Sequence, residues 1–138
     1  MASTSPVGLQ FRLDLKSGVP VYRQVIDQIL AGIASGALSG GDQLPTVRQL
    51  AVDLSINPNT VVRAYRELEI RGVLATQQGI GTFITQQRVE ADEAERQRQL
   101  TQLVGEFMAR AGAAGFTAED VLGRIQEFLG EQRRGRRR

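Results

Sequence analysis

The 138-residue sequence predicts a mainly α fold with a small β wing. Two short amphipathic stretches, near 46–54 and 58–71, are joined so tightly that the second must turn at once against the first. Behind them lie two β-prone segments around a Gly-containing loop. Helical periodicity alone follows, in a stretch with too little apolar surface for its own core.

At the start, Leu9, Phe11, Leu13 and Leu15 alternate with Gln10, Arg12, Asp14 and Lys16, the period of a half-buried strand. Ser17-Gly18 breaks the pattern. Pro20 suits a first helical turn, where its missing N–H costs nothing. Tyr22, Val25, Ile26, Ile29, Leu30 and Ile33 then recur at three- and four-residue steps. They predict an amphipathic helix over about 20–35 that ends at Gly36, followed by a Gly/Ser-rich loop to Asp42.

Val47, Leu50, Ala51 and Leu54 share one face of a helix over roughly 46–54. After Ser55-Ile56, Asn57 is a strong N-cap and Pro58 suits the first helical position. The second helix turns Val61, Ala64, Tyr65 and Leu68 inward and stops at Gly72. Such a pair is a helix-turn-helix: Ala51 permits close approach, Ser55 occupies the turn, and Ile56 and Val61 fill the space between. Residues 73–77 and 82–85 flank the four-residue loop Gln78-Gly79-Ile80-Gly81 as a hairpin. A hairpin directly behind a helix-turn-helix is a wing, so residues 9–86 are expected to form a winged helix-turn-helix domain.

The remainder differs in kind. Residues 88–99 are polar and helix-forming. Leu100, Leu103, Val104, Phe107, Met108 and Ala111 form an apolar stripe, and Gly112–Gly115 interrupts it. Thr117 with Asp120 resembles a capping box, with Asp in place of the usual Glu or Gln. Val121, Leu122, Ile125, Phe128 and Leu129 make a second stripe. About 40 residues in two helices cannot form an independent core. Residues 88–130 are therefore expected to be a helical dimerisation segment whose apolar faces meet another subunit. Residues 131–138, with five basic side chains and one acidic, are expected to be a disordered Arg-rich tail, either adding phosphate attraction or solubilising the chain.

Composition narrows the function. There is no Cys, His or Trp, which removes disulfides, thiolate metal sites and every Ser-His or Cys-His mechanism. Catalysis would rest on carboxylates or the single Lys16. The acidic residues of 90–130 lie on a helical region without convergent partners and read as a solvated face. No enzyme activity, cofactor or metal is expected. Net charge is +2, unevenly placed: +2 over residues 1–89, −4 over 90–130 and +4 over the last eight. Sixteen of the 17 basic residues are Arg, suited to phosphate and guanine. No apolar run approaches the roughly 20 residues of a membrane span. The opening MASTSPVGLQ lacks the basic start and apolar stretch of a secretory signal, so a cytoplasmic location is expected.

Three blocks carry a family resemblance. Gln43–Ala51 (QLPTVRQLA) resembles the LPSxRxLA signature of the GntR family of bacterial transcription regulators. Ile56–Glu69 resembles its recognition-helix block, and Gln78–Ile84 (QGIGTFI from Gln78) resembles its RGxGTFV wing. Only 52 residues follow Gln86, too few for the family's usual ligand-binding domains. That brevity, Asn57–Thr60 and the opening at Asp14–Gln24 resemble the YtrA subfamily. The resemblance implies a dimeric, sequence-specific repressor on a two-fold double-stranded DNA operator. A winged helix used only for protein–protein contact is the alternative.

A recognition helix sets its N-terminal residues against base edges. Asn57, Asn59 and Thr60 are thus candidate DNA contacts, with Pro58 holding the helix start; the bland alternative is that Asn57 only caps. The resemblance adds Arg48 and Arg63, the latter against backbone phosphate. Val62 stands where many relatives carry a base-reading Arg, and Gln78 replaces the usual wing Arg. Gly79 and Gly81 would let the wing backbone approach the duplex. Tyr22 and Thr46, at helix starts, are candidates for phosphate hydrogen bonds or for packing.

Overall fold

Alternate apolar residues seed the core from the first strand. In a computed structural model of the chain, which describes residues 2–4, 9–86 and 92–137, side chains included at 9–86 and 92–131, Leu9 and Phe11 are buried. They bury one side of β2 (Gln10–Arg12), which pairs antiparallel with β1 (Ala2–Thr4) so that Ser3 faces Phe11. The strand is shorter than its alternation suggests. Leu13 only packs partly against the core, and Leu15 is 72% exposed in a turn.

Two glutamines of α1 (Val21–Ser35) take over the edge that β2 leaves. Gln28 Oε1 accepts from Arg12 N at 2.8 Å, and its Nε2 donates to Arg12 O at 2.6 Å. One turn earlier, Gln24 accepts from Asp14 N at 2.8 Å and donates to Asp14 O and Val19 O, each at 2.9 Å. Buried Gln24 thereby satisfies its amide, as a polar group away from water must. Val25, Ile26 and Ile29 face inward, and α1 ends at Gly36 with φ +84°.

α2 (Val47–Leu54) opens with a complete capping box. Thr46 Oγ1 accepts from Gln49 N at 3.1 Å, and Gln49 Oε1 accepts from Thr46 N at 3.0 Å. It closes at Ser55, which lies in the left-handed region at φ 54°. Ser55 N donates to Val52 O and Ile56 N to Ala51 O, the paired bonds of a Schellman motif. Asn57 then starts α3 (Pro58–Ile70), its Oδ1 accepting from Asn59 N at 2.8 Å. Val61, Ala64, Tyr65 and Leu68 are buried, and the Tyr65 hydroxyl donates to Pro45 O at 2.8 Å. A second Schellman motif, built on Gly72 at φ +78°, turns the chain into the wing.

The wing pairs β3 (Leu74–Gln77) with β4 (Gly81–Ile84), Leu74 facing Ile84 and Gln77 facing Gly81. Three residues connect them rather than the four expected, because Gly81 already belongs to β4. Ile80 N donates to Gln77 O across a turn with Gly79 at φ +78°, the type II position that glycine occupies without strain. Residues 41–44 run along the other edge of β4: Gly41 N donates to Ile84 O, Ile84 N to Asp42 O and Leu44 N to Thr82 O. The wing is thus tied to the chain entering α2. β2, α1, α2, α3 and both wing strands share one core.

Residues 87–130 form a second unit. There α4 (Glu93–Ala113) starts at Asp92, and residues 87–91, part of the predicted polar segment, lie outside the described residues. Gly115 N to Gly112 O and Phe116 N to Ala111 O form a third Schellman motif. Thr117 and Asp120 then exchange reciprocal bonds, Thr117 N to Asp120 Oδ2 at 2.9 Å and Asp120 N to Thr117 Oγ1 at 3.1 Å. Asp therefore completes the box here, and the backbone hydrogen bond from Thr117 lowers its carboxyl pKa. α5 (Ala118–Arg137) corrects the expectation of a disordered tail: its backbone stays helical through 131–137. Arg and Gln are good helix formers, and cations near a helix C-terminus complement its dipole.

Two stability outcomes follow from α2 and α3. Ser55→Val puts a β-branched residue in the left-handed region and should cost about 1–2 kcal/mol. Ser55→Gly should instead match or exceed the parent in urea unfolding. Tyr65→Phe removes a bond to buried Pro45 O and should cost about 1–3 kcal/mol. Burial raises the Tyr65 phenol pKa above its ordinary value, whereas an unfolded phenol ionises near pH 10. Its contribution is full below about pH 10 and is lost as pH rises further. Urea midpoints between neutral pH and about pH 11 should accordingly fall less for Tyr65→Phe than for the parent.

Candidate nucleic-acid interface

The burial of one face of α3 determines what the other presents. Asn59, Val62, Arg63, Arg66, Glu67 and Ile70, at helical steps of three and four, line one shallow depression on the outer face. Asn59, Arg63 and Arg66 are exposed, Val62 is half-buried, and Ile70 is 80% exposed at the far end. Glu67 is neutralised by Arg71 at 2.7 Å. Arg66 is the residue the sequence reading missed. Its signal was available, since it sits seven residues after Asn59, two helical turns along the same stripe.

The helix starts are electrostatically open. α1, α2 and α3 carry no acidic residue in their first turns. α4 and α5 carry Glu93 and Glu95, and Glu119 and Asp120. The positive N-terminal end of a helix dipole favours an anion and disfavours a cation by some tenths of a kcal/mol. Arg23 and Arg48 nevertheless occupy first turns of α1 and α2, and neither pairs with a described carboxylate. A bound phosphate would satisfy the exposed N–H groups and the guanidinium together.

Tyr22 and Arg63 meet. The Arg63 guanidinium carbon lies 3.8 Å from the Tyr22 ring centroid, a cation–π contact joining the start of α1 to α3. Tyr22 also packs partly on the core, so it serves packing while its hydroxyl is not bonded to a described group. Thr46 and Asn57 are both caps. Each spends its oxygen on a backbone N–H and keeps a donor for an anion or base. Pro58 is exposed and Thr60 half-buried beside them.

At the wing tip Gln78, Gly79 and Ile80 are exposed. Gly81 also has a role within the fold. With φ +148°, its missing Cβ leaves room for the Gln43 amide, which donates to Ile80 O at 3.2 Å. Gly81 therefore accommodates the brace that holds the wing. In the second unit, Leu100, Leu103, Val104, Phe107, Leu122 and Ile125 are exposed. Met108, Val121, Phe128 and Leu129 are half-buried there, and Ala111 is buried.

Known proteins match this arrangement. A family model described as bacterial regulatory proteins, gntR family, matches residues 21–84. The HTH-type transcriptional regulator YhcF of Bacillus subtilis is 36% identical over 113 residues, covering 82% of this chain and 93% of that protein. The chain belongs to the GntR family. The HTH-type transcriptional repressor YtrA of Bacillus subtilis is 35% identical over 130 residues, covering 91% of this chain and 97% of that protein. A solved structure, YtrA from Sulfolobus acidocaldarius, is similar with a TM-score of 0.52 and 31% identity, covering 87% of this chain and 97% of that one. Within the GntR family these matches support the YtrA subfamily, and the chain is a DNA-binding transcriptional regulator. Among the described residues, no helix is long and apolar enough to cross a membrane.

Proposed function

We propose that the chain is a dimeric repressor, located in the cytoplasm, that binds a two-fold DNA operator through α3 and the wing. The observation that carries this reading is the outer face of α3, where Asn59 and Arg66 stand clear and Arg63 rests on the Tyr22 ring, while the adjoining helix starts lack carboxylates. Asn59 and Thr60 read base edges, Asn with the bidentate geometry that suits adenine. Arg48, Arg63, Thr46, Asn57 and the hydroxyl of Tyr22 hold backbone phosphates. Gln78 donates into the minor groove beside Gly79. Occupation of the operator excludes the transcription machinery, consistent with the repressor assignment carried by the similar YtrA protein.

Asn59→Ala should cost about 1–3 kcal/mol on the operator and relax preference at one base pair per half-site. Arg48→Ala should weaken operator and scrambled duplex more evenly and lower the salt slope by about one per phosphate contacted. Titrations on both duplexes at two salt concentrations test this. Equal losses on both duplexes for Asn59→Ala would remove it as a base reader.

Dimerisation rests on the second unit. Leu103 and Phe107 are 63% and 56% exposed there, and burying a leucine or phenylalanine side chain stabilises by about 1.5–3 kcal/mol. A second copy covers these stripes and sets two recognition helices about 34 Å apart or a multiple of it. Phe107→Asp with Leu122→Asp should sediment as a monomer whose winged helix still unfolds cooperatively; an unchanged dimer refutes the assignment.

A further inference from the structure

We propose that Val62 reads the 5-methyl group of one thymine in each half-site, so that an apolar contact specifies that base pair; this rests on α3 being the recognition helix. Val62 is the apolar centre of the depression on the outer face of α3, half-buried, with Asn59 one turn before it and Arg66 one turn after. It is not needed to face the core, because Val61, Ala64, Tyr65 and Leu68 already line the inner side. Arg63, the adjacent cation, holds its guanidinium against the Tyr22 ring. Glu67 is taken by Arg71.

Four base edges can face such a residue in the major groove, and only thymine offers a methyl group. Guanine and adenine put hydrogen-bonding atoms there, which a valine would desolvate without a partner, and cytosine offers only a bare C5–H. Val62 therefore discriminates by gaining a methyl contact with thymine that no other base supplies and by penalising the purines. Residues three apart on a helix rise about 4.5 Å, close to one base-pair step of about 3.4 Å. Asn59 and Val62 thus address neighbouring base pairs, and an amide suited to adenine beside a valine suited to thymine implies an A·T-rich centre in each half-site.

The test begins with operators selected by the full chain from a random duplex pool. Each thymine of a selected half-site is then replaced by deoxyuridine, which removes the methyl group and nothing else. One buried methyl corresponds to about 0.8 kcal/mol, hence a loss near fourfold at one thymine per half-site. Val62→Ala should bind the thymine and uracil duplexes alike, while Ile70→Ala, on the same stripe, keeps the fourfold ratio. Should Val62→Ala fail to fold by circular dichroism, Val62→Ser, which carries no methyl group, should bring the ratio below twofold. The proposal is overturned if no uracil substitution weakens binding, or if the loss is as large in Val62→Ala as in the parent. A pool that enriches no sequence refutes operator binding itself and leaves Val62 no base to read.

Discussion

The turn at Ser55 sets the angle on which every contact of α3 depends. Its left-handed backbone lets two Schellman bonds close α2 in one residue, so Asn57 can begin α3 two residues later. A non-glycine residue there costs about 1–2 kcal/mol. The cost is offset by what the turn brings together: Leu50, Ala51 and Leu54 against Val61, Ala64 and Leu68, all buried in one cluster. Tyr65 then pins the middle of α3 to the residue before the α2 cap through the Pro45 carbonyl. With turn and pin both in place, α3 has no freedom to roll, and its polar stripe is fixed outward.

Charge placement follows a different rule in the two units. In the first, helix N-termini carry Arg or nothing; in the second, they carry carboxylates, as an isolated helix prefers. α1 and α2 forgo local stabilisation that α4 and α5 take. A local rule broken in one direction within one unit is the expected signature of surface shaped for a ligand. The absence of carboxylates matters as much as the arginines, since a Glu in a first turn would occupy the very N–H groups a phosphate needs.

Much of this was legible in the sequence because it rests on period and local chemistry. The inner residues of α1, α2 and α3, the Asn57 cap, the Gly36 and Gly72 stops and the Thr117–Asp120 box all emerge from spacing alone. What stayed hidden depends on contacts distant in sequence. Gln24 and Gln28 serve as a surrogate strand edge for residues 10 to 16 positions away, which nothing in their own helix announces. Gln43 beneath Gly81 lies 37 residues from the carbonyl it supports at Ile80, so the brace that Gly81 accommodates was not visible in the wing's own sequence. The Arg-rich end reads as a tail because like charges repel, whereas Arg and Gln are also good helix formers, and the backbone of 131–137 is helical. At the interface, the outward stripe was legible from Asn59 onward, but Tyr22 beneath Arg63 was not, because it joins two helices.

The division into two units also has an energetic consequence. The winged helix owns a complete core, so it keeps its shape whether or not a partner is present. α4 and α5 bury Ala111 and little else among their described side chains, so their order is expected to depend on protein concentration. On the proposed dimer, the second half-site is engaged at an effective concentration set by the joined subunits rather than by bulk protein. Each winged helix can then bind its half-site weakly and still achieve tight, cooperative occupancy. A wing tipped with Gln78 rather than a cation, and a recognition helix with an apolar centre, suit that arrangement: each half-site gives up some electrostatic attraction, and discrimination comes from requiring two matched half-sites at once.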